Sequence, residues 1–266
     1  MKPFLKWAGG KFRVVPKILN VLPKGKRLIE PFVGSGAVFM NAEYEHYLLA
    51  DSNPDLINLF LQIQVEGKSF IDYASSFFTA KTTTEVAFYS LREQFNSTDD
   101  LRYKSALFIY LNKHCFNGLC RYNSKGGFNV PYGKRKEPSF PIDAMLAFLD
   151  KTKRAEFIIS DFVRTMEQAE IGDVVYCDPP YAPLEQKSNF TSYAVGNFGI
   201  KEQLKLAEMA QQLQTRGIPV VISNHNTEFT QEAYIKAELH EFDVQRNIAA
   251  DGTNRIKAKE LLAVFR

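Results

Sequence analysis

The chain has 266 residues and a mass of 30.3 kDa, with 45% apolar residues, 24% charged residues and a formal net charge of +3. That is enough to bury a full core in one compact unit with an inserted lobe, and the composition excludes a disordered or fibrous chain. The opening MKPFLKWAGGK sets lysines and glycines where a secretory leader needs an apolar run, and no later stretch nears the roughly 18 apolar residues of a membrane span, so a cytoplasmic protein with no membrane partner is expected; a monomer in solution is expected as well.

The charge is unevenly placed. Residues 1–29 carry Lys2, Lys6, Lys11, Arg13, Lys17, Lys24, Lys26 and Arg27 and no acid. Residues 101–136 carry Arg102, Lys104, Lys113, Arg121, Lys125, Lys134, Arg135 and Lys136, again without an acid. Removing these sixteen from the 33 Lys and Arg leaves 17 against 30 Asp and Glu elsewhere. If the two stretches meet in space they form one cationic face for a polyanion, because phosphate neutralisation supplies most non-specific nucleic-acid affinity. Cys115, Cys120 and Cys177 make an odd count with no C-x-x-C pair, which points to buried reduced thiols and not to a disulfide framework or zinc site.

In chain order, Lys6-Trp-Ala-Gly-Gly-Lys11 superficially resembles a phosphate loop. The first glycine of that pattern falls at Leu5 and its hydroxyl residue at Phe12, so nucleoside-triphosphate hydrolysis has no support. Arg27-Leu-Ile-Glu-Pro31 reads as a strand running into the turn Gly34-Ser-Gly36, a helix from Ala37 to about Tyr47, and a second strand, Tyr47–Asp51. About 100 residues then separate Asp51 from the next strand at Ala155–Asp161, far more than a crossover needs, so residues 55–145 read as an inserted, mainly helical lobe between catalytic segments 1–54 and 146–266. Within the lobe, Leu107, Tyr110, Leu111 and His114 line one face of a helix over Lys104–Asn117, and a hairpin follows with its turn at Ser124–Gly127. Strands at Asp173–Asp178 and Ile218–Asn224 flank a helix near 201–215, whose stripe is Leu204, Ala207, Ala210 or Gln211, and Leu213. Two final strands around Asp251-Gly-Thr-Asn254 read as an antiparallel edge hairpin. The fold class is α/β: a Rossmann-like sheet covered by helices, with an antiparallel C-terminal hairpin and an inserted lobe that carries its own β-hairpin.

The chemistry-bearing residues fall at strand ends. Glu30-Pro-Phe-Val-Gly34-Ser-Gly36 lets backbone approach a ligand at the sheet's carboxyl edge, although Phe39 stands where a dinucleotide fingerprint needs its third glycine. Asp51 ends the second strand, where a carboxylate accepts ribose hydroxyls or caps the turn Asp-Ser-Asn-Pro. Asp178-Pro-Pro-Tyr181 follows a strand. Its prolines fix an extended path and remove two donors. An aromatic amine is a poor nucleophile because its lone pair is delocalised into the ring, and acceptors on both N–H groups draw the nitrogen toward tetrahedral geometry. Asp178 and the Pro179 carbonyl are such acceptors, and Tyr181 offers a face for an extruded base. The same chemistry would serve the amino group of adenine or of cytosine. His114 and His225 read as structural.

These segments resemble DNA adenine methyltransferases of the Dam type, in the D12 class, over nearly the whole length. The match is carried by Lys6–Lys11, Glu30–Gly36, Asn117-Gly-Leu-Cys-Arg-Tyr-Asn123 with Gly127-Phe-Asn-Val-Pro131, Asp178-Pro-Pro-Tyr-Ala-Pro-Leu184 and Ile222-Ser-Asn-His225. The resemblance implies S-adenosylmethionine as methyl donor, S-adenosylhomocysteine as product, no metal, and double-stranded DNA as partner. It implies that Trp7, Lys11, Phe32, Gly34, Ser35, Gly36, Asp51, Asp161, Phe162 and Asp178 contact the donor, and that Asp178, Pro179, Pro180 and Tyr181 hold a flipped adenine. Lys6, Asn117, Leu119, Arg121 and Pro131 would read the site, GATC in the family, with Asn123, Lys134 and Arg135 also on the DNA. Tyr132-Gly133 is followed here by Lys-Arg-Lys, where family members carry an aromatic. A catalytically inactive DNA-binding relative is the alternative from another class, which the intact Gly34, Gly36, Asp51 and Asp178 oppose.

Overall fold

The structure is a computed structural model that describes residues 1–134, 138–182, 198–245 and 257–266. Its elements in chain order are α1 (Val15–Val21), β1 (Arg27–Glu30), β2 (His46–Asp51), α2 (Pro54–Glu66), α3 (Lys68–Ser75), α4 (Glu85–Ser97), α5 (Leu101–His114) and α6 (Ile142–Thr152). They continue with β3 (Ala155–Ile159), α7 (Phe162–Glu167), β4 (Asp173–Cys177), α8 (Ile200–Thr215), β5 (Val220–His225), α9 (Glu228–Ala233), β6 (Glu238–Gln245) and β7 (Lys257–Phe265). The expected α/β class is observed. Among the described residues no helix is long and apolar enough to cross a membrane.

The chain forms two compact units. One comprises Met1–Pro16, Val33–Glu43 and Asp51–Ile159, and the other Lys17–Phe32, Tyr44–Ala50 and Ser160–Arg266. Of the seven strands among the described residues, the second unit holds six, hydrogen-bonded in the order β2-β1-β4-β5-β7-β6. β1 pairs parallel with β2 and with β4, β4 pairs parallel with β5, and β7 runs antiparallel to both β5 and β6. Val174 to Cys177 and Val220 to Ile222 are all buried, which is why these strands read as unbroken apolar runs. The strand order reverses between β1 and β4. Ligands of open α/β sheets bind beside the carboxyl ends at such a point, here Glu30-Pro31-Phe32 and Asp178.

The first unit is mainly helical. Phe4, Phe39, Phe60, Phe148 and Phe157 pack against one another with ring centroids 4.8–6.2 Å apart, within the range of favourable aromatic pairs. Asn53 caps α2 by accepting from the N–H groups of Asp55 and Leu56, and Asp100 caps α5 in the same way from Arg102 and Tyr103. The lobe's hairpin closes through antiparallel bridges Tyr122 to Phe128 and Cys115 to Tyr132, with Asn123 accepting from the N–H groups of Lys125 and Gly127.

Three sequence expectations are corrected. Residues 37–41 form turns, not a helix reaching Tyr47: the Asn41 side chain donates to the Ala37 carbonyl, the acceptor the next helical N–H would need. The lobe helix ends at His114 and not at Asn117, which adopts a left-handed φ of 55°. On α8, Leu204 is 49% exposed, and the buried stripe runs through Gln203, Leu206, Ala207, Ala210 and Leu213. The turn at 251–254 lies outside the described residues.

Candidate functional site

In the second unit, the path after β4 carries Asp178, Pro179, Pro180 and Tyr181. Asp178 is half-buried, directly beyond the fully buried Cys177. The Tyr181 hydroxyl donates to Glu260 Oε2 at 3.2 Å, and its ring stands edge-on to His225 with centroids 4.7 Å apart. Burial of the phenol, followed by the charges of Asp178 and Glu260, pushes its pKa well above the usual range, so it stays protonated. After β1, the Phe32 ring stacks on Phe162 at 5.6 Å and 23°, and Phe198 closes edge-on against Phe32, also at 5.6 Å. Asp161 caps α7 by accepting from the Arg164 N–H at 3.0 Å. The second unit therefore places an aromatic cluster and a proline-flanked carboxylate at the same edge of its sheet.

In the first unit, Gly34 has a φ of +49°, and a Cβ there would lie 2.9 Å from the Trp7 indole, so only glycine fits. Its N–H donates to Asp51 Oδ2 at 3.1 Å, while Asp51 Oδ1 accepts from Asn53 N–H at 3.0 Å. Burial raises the Asp51 pKa from its ordinary value, against the opposing bonds from Asn53, Gly34 and Ser52. Asp51 thus caps its turn and also ties the glycine turn to the end of β2. Ser35 and Gly36 are buried beside Gly34, and Lys11 donates from Nζ to the Gly9 carbonyl at 2.6 Å.

The first unit also brings the start of the first acid-free basic stretch, as far as Arg13, against the second stretch, whereas Lys17, Lys24, Lys26 and Arg27 belong to the second unit. The buried Asn112 accepts from Lys6 N–H at 2.9 Å and donates to the carbonyls of Lys6 at 2.8 Å and Gly118 at 3.2 Å. Lys113 Nζ donates to the Phe4 carbonyl. Lys6 is consequently held beside the loop of Asn117, Gly118 and Leu119. A Cβ on Gly118 would lie 2.5 Å from Lys6 Cδ. Phe116 N–H donates to the Pro131 carbonyl at 2.9 Å, drawing the exposed Pro131 to the same loop. Arg121 is exposed, with Nε donating to Asn129 Oδ1 at 2.8 Å. Lys134 is exposed as well, whereas Arg135 and Lys136 lie outside the described residues.

Sequence reading did not single out Asn112, Asn129, Gln203 or Glu260. Gln203 and Glu260 stand beside charged residues and read as solvent-facing, and the partners of Asn112, Gln203 and Glu260 lie 106, 23 and 79 residues away, while Asn129 pairs with Arg121 only 8 residues away. Among the described residues no three His, Cys, Asp or Glu side chains are grouped to hold a metal.

Comparison with known proteins adds the following. Residues 7–248 match the model of the D12 class N6 adenine-specific DNA methyltransferases. A DNA adenine methylase of Haemophilus influenzae is 48% identical over 99% of this chain and 93% of its own length. One from Vibrio cholerae is 45% identical, over 99% of this chain and 96% of its own. One from Escherichia coli K12 is 44% identical, over 100% of this chain and 95% of its own.

Proposed function

Because the chain belongs to the D12 class of N6 adenine-specific DNA methyltransferases, we propose that it carries the methyl group of S-adenosylmethionine to the exocyclic amino nitrogen of an adenine flipped out of double-stranded DNA, within GATC. The observation that carries this reading is Asp178-Pro-Pro-Tyr181 at the carboxyl end of β4, beside the point where the strand order reverses. When bound, S-adenosylmethionine supplies an electrophilic methyl group on a sulfonium. The residues present suit it. The Gly34 turn has room for no side chain, Asp51 offers a carboxylate for ribose hydroxyls, and Phe32, Phe162 and Phe198 offer aromatic surface. Trp7, Lys11, Ser35, Gly36 and Asp161 complete the proposed donor contacts.

Asp178 accepts one N–H of the target amine and the Pro179 carbonyl the other, which localises the nitrogen lone pair. Asp178 need not be a strong base, because the amine becomes acidic only after it has been alkylated. Tyr181, kept protonated, stacks on the base without adding charge. Orientation of the reactants supplies much of the acceleration. The segment 55–145 acts as the recognition lobe on segments 1–54 and 146–266, with Lys6, Asn117, Leu119, Arg121 and Pro131 reading bases, and Asn123, Lys134 and Arg135 meeting backbone.

The test is turnover and product identity on a GATC duplex. Asp178→Ala should lose transfer by orders of magnitude while still binding DNA, since a charge-assisted bond that strengthens in the transition state is worth several kcal/mol. A folded variant keeping more than about a tenth of wild-type turnover, a barrier change of about 1.4 kcal/mol or less, overturns the role of Asp178. Methyl on cytosine in the wild-type product overturns the substrate.

A further inference from the structure

The segment Ile222-Ser-Asn-His225 takes no part in the chemistry above, yet two of its side chains converge on the catalytic motif. Asn224 is fully buried at the end of β5. Its Oδ1 accepts from Ala182 N–H at 3.0 Å, and its Nδ2 donates to Gln203 Oε1 and to the Tyr234 hydroxyl, each at 3.0 Å. Gln203, 3% exposed in the first turn of α8, donates from Nε2 to the Pro180 carbonyl at 2.7 Å. His225 Nδ1 meets the Ala182 carbonyl, and its ring packs against Tyr181. The carbonyl of residue 180, the ring of 181 and both backbone groups of 182 are all held from β5 and α8.

Two features show why the motif needs outside anchors. Pro179 and Pro180 have no N–H, so this stretch cannot be pinned by donating to a neighbouring strand. An amide buried on the apolar face of a helix costs stability unless its polar atoms are bonded, and here both Gln203 atoms are spent on the motif and on Asn224. Gln203 thus holds the Pro180 carbonyl, next to the Pro179 carbonyl that the proposed function assigns to the target amine.

We propose that Gln203 and Asn224 are positioning residues for methyl transfer: bonded to each other, they fix the path of Pro180-Tyr181-Ala182 and so aim the Pro179 carbonyl and the Asp178 carboxylate at the target amine. The proposal rests on the adenine-methylating reading. Gln203→Met keeps the length of the side chain and removes its donor. Single-turnover methylation, DNA and S-adenosylmethionine affinity, melting temperature and 2-aminopurine fluorescence at the target position are compared with wild type. The transfer rate should fall ten- to hundredfold while both affinities stay within about threefold and the fluorescence rise of base flipping persists. Asn224→Ser, which shortens the partner, should give the same pattern. A rate within twofold of wild type in a folded Gln203→Met overturns the proposal. Rate, affinities and melting temperature all collapsing together in both variants also overturns it, by assigning the pair to the fold. Wild-type protein that leaves adenine unmethylated overturns the underlying reading instead.

Discussion

Arg121 meets solvent with its guanidinium already oriented, because Asn129 takes its Nε at 2.8 Å and lies 3.4 Å from Nη2 through its carbonyl. The remaining edge of the fork suits the O6 and N7 atoms of guanine, and a planar group held in advance loses less freedom on binding. Arg121→Ala is therefore expected to cost about 1–3 kcal/mol at the cognate site and to relax discrimination at one guanine. Methylation rates on a panel of duplexes, each altered at one base pair of the site, check this. Equal losses across the panel would make Arg121 a phosphate contact. Asn112 works at the same scale from inside, since one buried amide joins Lys6 to the Asn117–Leu119 loop.

The element where chain pattern and chemistry meet most closely is α5. Its apolar face, including Leu107, Tyr110, Leu111 and His114, is fully buried, as the helical spacing predicts. Near its end, burial and the charge of Lys2 lower the Lys113 pKa to about 8. A lysine whose folded pKa lies below its unfolded value costs stability at low pH, and that cost is relieved as pH rises from about 8 toward the unfolded value near 10.4. Urea unfolding at pH 7 and pH 10 should show Lys113→Met gaining about 1 kcal/mol or more on wild type at pH 7 and much less at pH 10. A gain that does not change with pH would place the strain elsewhere. Buried strands β1, β4 and β5 were legible to within about two residues because apolar runs bounded by Gly and Pro have few other fates. The Gly34 turn, Asp51 and Asp178–Tyr181 were legible as motifs for the same local reason. Gln203 was not, because a polar residue on a helix reads as solvent-facing until its partner 21 residues away is known, and Asn224 was legible only as part of the Ile222–His225 segment, without its contacts. The turns at 37–41 failed as a helix because one Asn side chain took a backbone acceptor.

Across the whole molecule, the modest net charge of +3 is unevenly shared: the first unit carries 18 Lys and Arg against 13 Asp and Glu, and the second 15 against 17. Non-specific duplex affinity should accordingly fall steeply with salt. Lys134→Ala should weaken binding to all sequences alike and flatten the slope of log K against log salt by about 1. Binding isotherms at several salt concentrations decide the matter, and an unchanged slope would remove Lys134 from the phosphate contacts. The three cysteines carry a separate consequence. Burial raises the pKa of Cys115 and of Cys120 to about 12, and pushes Cys177, fully enclosed in β4, higher still. A thiol becomes a nucleophile only as its thiolate. With burial raising all three thiol pKa values, no cysteine is set up as a thiolate nucleophile, which agrees with the proposed direct transfer to an amino nitrogen without a covalent enzyme adduct.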